Sequence, residues 1–132
     1  MTNPQTEMIK FSNNICLFMC YLFCVDIRPD SIAAWCRYLA EGIGYKVLDD
    51  EGFVLDAPKL LKLLTGKEHT VFKVDLKGIE GIKNKTPVLY SMNGKTGHWV
   101  VVENGQIVFD PLIDSQNVKK GKPISARVIT RG

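Results

Sequence analysis

The stretch "ICLFMCYLFCV", residues 15 to 25, carries an apolar, aromatic or thiol side chain at every position. A helix apolar on all sides has no face to show to water, so other elements must pack around it. Its 11 residues fall well short of the about 20 that a bilayer-crossing helix needs, and no membrane partner is expected. Ser12, Asn13 and Asn14 directly precede it and are helix-capping residue types. The pattern therefore predicts a central helix from near residue 13 to about 25. Residues 1–11 are polar, with Pro4, and read as an irregular lead-in. Glu7 and Lys10 leave no positive n-region and "CVDIRP" offers no small-residue cleavage site, so a cytoplasmic protein is expected.

Two more helices follow. "DSIAAWCRYLAEG" combines a capping Asp30 with helical spacing at Ile32, Trp35, Cys36 and Leu39 and a terminating Gly42. "DAPKLLKLLTG" is capped by Asp56 and closed by Gly66. The period then changes to that of strands in "TVFKVD", "PVLYSM", "HWVVVE", "QIVFD" and a weaker "ARVIT". Helices first and strands afterwards predict an α+β fold, the central N-terminal helix packed on an antiparallel sheet. At 132 residues and 45% hydrophobic, one domain with one core is expected over residues 1–132.

Charge excludes one class of partner. The formal +3 arises from 17 basic against 14 acidic residues, spread along the chain except at Lys119, Lys120 and Lys122. That cluster reads as a solvated loop, and no nucleic acid is expected, because a binding face needs a positive stripe set with aromatic residues.

Four cysteines, Cys16, Cys20, Cys24 and Cys36, read as buried thiols in a reducing compartment. Cys16 to Cys24 spans about 12 Å of helix axis, too far for three ligands to meet at one metal ion. No CxxC pair or Cys/His cluster completes a site, so neither metal nor cofactor is expected. With Asn13 as cap, Cys16 falls in the first helical turn, where free backbone N–H groups and the helix dipole favour a thiolate. Cys20 lies a turn deeper and Cys24 toward the negative end, as a neutral packed thiol.

A thiol nucleophile needs an imidazole to take its proton, and the imidazole needs an acceptor to hold its tautomer. The chain has two histidines. His69 reads as a solvated loop residue. His98 opens a strand after "NGKTG", where Gly97 removes a side chain and leaves room for a substrate backbone. Asp110, before Pro111, is the candidate acceptor, with Asp114 as fallback. A two-residue Asn104–Gly105 turn pairs Trp99 with Asp110 and sends His98 and Asp110 to opposite faces. A three-residue loop brings them face to face. The apolar pattern favours the first register, which gathers Val100, Val102, Ile107 and Phe109.

An early cysteine on an apolar helix followed far downstream by "GHWVVVENGQIVFDP" resembles the papain-like cysteine peptidases, and among them the peptidases that process bacteriocin leaders. The resemblance covers about residues 10–30 and 86–112. It implies a papain-like minimal fold, Cys16 as nucleophile, His98 as general base and acid, Asp110 orienting His98, and a peptide or protein substrate. Asn13, Asn14, Gly97 and Trp99 are the candidate oxyanion and substrate-binding residues beside that triad. Two positions depart from the family pattern. Lys10 stands six residues before Cys16 where a glutamine is usual, whereas Asn14 would hold that place if Cys20 were the nucleophile. Leu17 follows Cys16 where a glycine is usual. The alternative function is a catalytically silent papain-like module, with Trp99 and the "NGKTG" loop as a contact surface.

Overall fold

The computed structural model describes residues 15–94, 97–111 and 116–131. Its elements are α1 (Cys16–Cys24), α2 (Ile32–Gly44), α3 (Ala57–Thr65), β1 (His69–Asp75), β2 (Thr86–Ser91), β3 (His98–Glu103), β4 (Gln106–Phe109), α4 (Gln116–Lys120) and β5 (Lys122–Arg131). The strands form one sheet in the order β1-β5-β2-β3-β4, every neighbour antiparallel. The fold is α+β, with helix packed on sheet.

α1 lies at the centre, as its uniformly apolar surface demands. Phe18, Met19, Cys20, Tyr21 and Leu22 are all buried. Trp35 of α2 meets Phe18 edge-on, with ring centroids 6.5 Å apart, and Leu60 and Leu61 of α3 close a second side. The sheet supplies Val71, Trp99, Phe109 and Ile129 from below. Its opposite face gathers Val88, Tyr90, Val100, Val102 and Ala126 under Leu76, Ile79, Ile82 and Val118.

The helix boundaries sharpen the sequence reading. Ile15 is the N-cap of α1 and provides no side-chain hydrogen bond; Ser12, Asn13 and Asn14 lie outside the described residues. On α2 the cap is Ser31, not Asp30, its Oγ accepting the Ala34 N–H at 3.1 Å. That helix also runs through Gly42 to Gly44. The glycine serves packing: a Cβ there would lie 2.5 Å from Leu48 Cδ1, and the returning chain donates the Val47 and Leu48 N–H groups to the Gly42 carbonyl. Cys36, expected among the buried thiols, is exposed on α2. α3 follows its signals, with Asp56 Oδ1 accepting the Lys59 N–H at 3.0 Å and Gly66 closing it at φ 75°.

Three expectations about the later chain are corrected. β5, legible only at Ala126–Thr130, runs for ten residues, because pairing with β1 and β2 on its two edges compensates for weak strand propensity. The lysine cluster is not a loop: Lys119 and Lys120 end α4 and Lys122 opens β5, all three exposed. His69 is no solvated loop residue either. It starts β1, is 8% exposed, and its Nδ1 lies 2.8 Å from the Lys67 carbonyl.

The burial of α1 sets a first prediction. Leu22→Ala, at a fully enclosed position, lowers unfolding free energy by about 2–5 kcal/mol. Leu55→Ala, at a side chain 61% exposed, changes it by less than ~0.5 kcal/mol. Denaturant midpoints at unchanged slope measure both.

Candidate active site

The site begins with the β3–β4 hairpin. Asn104 and Gly105 take φ of 53° and 71°, the left-handed pair of a type I′ turn, and Glu103 pairs with Gln106 and Val102 with Ile107. Their N–H groups donate to the Lys83 and Ile82 carbonyls, pinning the tip to the segment before β2. So far this is the two-residue register. One step on the ladder slips: Val101 pairs with Phe109, leaving Val108 as an extra bulged residue.

That single residue decides the geometry. Continued without a slip, the ladder would set Asp110 against Trp99. With the bulge, Asp110 falls opposite Val100 and joins the strand face of Val100 and His98. His98 Nε2 and Asp110 Oδ1 stand 2.5 Å apart. Phe109 moves to the other face, leaving the apolar group expected with Val100 and Val102, and stacks on Phe23 of α1 with centroids 4.6 Å apart. The sequence signal was the run Ile107-Val108-Phe109, three apolar residues where strict alternation allows two.

His98 is 4% exposed and Asp110 about half-buried. With Nε2 donating its proton to the carboxylate, Nδ1 is left as the nitrogen able to accept one. The pair is linked to α1 through Asp110, whose negative charge is felt by both Cys16 and Cys20. Strand alternation sets His98 with Val100 and Val102, and Trp99 on the face where α1 lies.

Cys16 lies in the first turn of α1, as expected, there as its first residue, but its thiol is not acidified. Burial, then the Asp110 charge, push its pKa from 9.0 up to about 12, against a smaller lowering by its own backbone N–H. The thiol is therefore neutral at rest, which corrects the expectation of a thiolate held by the helix terminus. Burial also raises Cys20 strongly, and takes Cys24 to about 12 despite Lys85 and Arg28 nearby; Cys24 is the neutral thiol anticipated. Cys20 is fully enclosed, which leaves Cys16 the more accessible of the two candidate nucleophiles. No disulfide joins the four cysteines. Among the described residues no group of three or more His, Cys, Asp or Glu side chains is placed to hold a metal ion, and no helix is long and apolar enough to cross a membrane.

The remaining candidates divide. Gly97 stands beside the pair for a packing reason: a Cβ there would lie 2.5 Å from the Tyr90 carbonyl oxygen and 2.7 Å from Leu89 Cδ1. The space is filled by β2, not open to a substrate backbone. Trp99 packs toward the core, with the Arg127 guanidinium 4.9 Å from its ring centroid, so it is not a bare contact surface. Lys10, Asn13, Asn14 and Asp114 lie outside the described residues. Comparison with family models, curated proteins and solved structures gives no match.

Two outcomes test this geometry. Inserting alanine between Phe109 and Asp110 returns the carboxylate to the Trp99 face and abolishes the His98 bond, whereas deleting Val108 keeps it, since Phe109 and Asp110 still meet Val101 and Val100. The ¹⁵N shifts of the His98 ring, which report the Nε2–H tautomer, distinguish them. The second concerns pH. Thiols held protonated in the fold but ionising near 9 when unfolded make stability fall as pH rises from about 9 toward 12, by ~1.4 kcal/mol per pH unit for each thiol. Cys16→Ser removes one such increment from the slope, measured by denaturation at pH 8 to 11.

Proposed function

We propose that the chain is a cysteine-dependent amide hydrolase acting on a peptide or protein substrate, in line with its resemblance to the papain-like peptidases. Cys16 is the nucleophile, His98 the general base and acid, and Asp110 the residue that orients His98. The observation that carries this reading is the 2.5 Å His98–Asp110 bond, made by a carboxylate whose charge reaches the thiol of Cys16.

A neutral thiol sets the order of events. The reading requires the ring of His98, the first residue of β3, to reach Cys16 past the end of the sheet. The Cys16 proton then passes to His98 Nδ1 as sulfur attacks the carbonyl carbon, and the imidazolium formed is balanced by Asp110. His98 then returns the proton to the leaving amine, giving a thioester and a free amine. Water, deprotonated by His98, attacks the thioester and releases a carboxylic acid and the thiol.

A second reading, a silent binding module of the same fold, is favoured by the enclosure of the thiol and by the strand face that His98 occupies. Limiting alkylation followed by mass mapping decides between them. As a hydrolase, the protein labels Cys16 faster than Cys20 and Cys24, and His98→Ala slows Cys16 by about 10²-fold or more while leaving exposed Cys36 unchanged. Labelling of Cys16 that is absent, or indifferent to His98, overturns the proposal in favour of the silent module.

A further inference from the structure

The two edges of the sheet are built differently. β4 is four residues long, its ladder is broken by the bulge at Val108, and its hairpin tip is held by the Lys83 and Ile82 carbonyls. Short, bulged edges are poor templates for another strand. β1 lacks both guards. It pairs with β5 over seven residues without a slip, and it leaves Phe72 55% and Val74 41% exposed.

The ladder fixes which backbone groups of β1 look outward. The Leu76 N–H donates to the Ile124 carbonyl at 2.9 Å, one step beyond the pairing of Asp75 with Ser125. Leu76 and Ile124 are therefore a hydrogen-bonded pair, and alternation assigns Val74, Phe72 and Thr70 to bonds with β5. The N–H and C=O groups of His69, Val71, Lys73 and Asp75 then point away from the sheet. No backbone group among the described residues bonds them. What completes such an edge is the backbone of another extended strand.

A second copy of the chain supplies one. Two β1 strands related by a twofold axis meet antiparallel, and the outward positions allow that axis at Val71, Phe72 or Lys73. The axis at Lys73 sets two lysines face to face, and the axis at Val71 runs out at Lys73, leaving Val74 and Asp75 unpaired. The axis at Phe72 pairs all seven residues. It brings the two exposed rings together in a non-hydrogen-bonded pair, where side chains lie nearest. Thr70 then meets Val74, Val71 meets Lys73, and Asp75 comes opposite His69, so no like charges stand opposite within the strand.

We propose that β1 pairs with β1 of a second copy across a twofold axis at Phe72, giving one continuous sheet whose edges are the two guarded β4 strands. β5 and β2 separate β1 from the strand that carries His98, so the dimer is independent of the hydrolase reading.

Sedimentation velocity over a concentration series tests it, with a shift expected from the mass of one chain to that of two. Lys73→Pro removes an outward N–H that β5 does not use and so spares the ladder; Phe72→Lys sets like charges on the axis. Each is expected to weaken the dimer by about tenfold or more, with far-UV circular dichroism unchanged. In the unaltered protein, the Val71 and Lys73 amides are expected to exchange with solvent about tenfold or more slowly in concentrated than in dilute samples, while Phe72 and Val74, already bonded to β5, change less. A single-chain mass up to millimolar concentration overturns the proposal. So does a dimer in which the Val71 and Lys73 amides gain no protection, or protection of those amides that appears only on adding an extended peptide of unrelated sequence.

Discussion

The enclosure of α1 is the constraint from which the rest of the structure follows. Nine residues with no polar face oblige α2, α3 and the sheet to cover it from different sides, and each covering element is tuned to the approach. Gly42 admits Leu48 against α2, Trp35 turns its ring edge to Phe18, and Phe109 leaves the regular ladder to lie on Phe23. The same enclosure seats Phe109, at the end of β4, on Phe23 in the last turn of the helix, and the charge of the next residue, Asp110, is felt at Cys16 and Cys20.

The bulge at Val108 joins packing to chemistry. An unslipped hairpin would place Phe109 with Val100 and Val102, on the face closed by Leu76, Ile79 and Ile82. The slip sends an aromatic ring to α1 and, in the same step, a carboxylate to His98. One extra residue thus satisfies the apolar demand of the helix and the polar demand of a histidine that is 4% exposed. A buried imidazole without a partner would cost about 1–3 kcal/mol, so the His98–Asp110 bond is as much a condition of folding as a feature of the site.

How much was legible follows from the range of each signal. The caps of α3, the central helix and the strand candidates rest on neighbours within four residues, and they were read correctly or within a few positions. The His98–Asp110 pair was legible by residue type, but both simple registers missed its geometry, because a bulge is set by what lies across the sheet. β5 was undercounted for a related reason: its strand character comes from two partners 31 to 62 residues away in sequence. Gly97 and Trp99 read as substrate-facing because exposure and function look alike in a sequence; Tyr90 and Arg127, which occupy those spaces, are not adjacent in the chain.

The thiol of Cys16 shows why position on a helix is a poor guide to acidity by itself. A charge at a helix N-terminus gains about 0.3–1 kcal/mol at exposed sites and up to ~2 in favourable ones. Raising a thiol from 9.0 to about 12 corresponds to ~4 kcal/mol in the opposite sense, dominated by lost hydration. Burial wins, and Asp110 adds to it. The same carboxylate that discourages a resting thiolate would stabilise an imidazolium on His98. In the proposed hydrolase, that charge pattern would call for the proton to leave sulfur only while sulfur is bonding to carbon, so that no bare thiolate has to persist in a closed site.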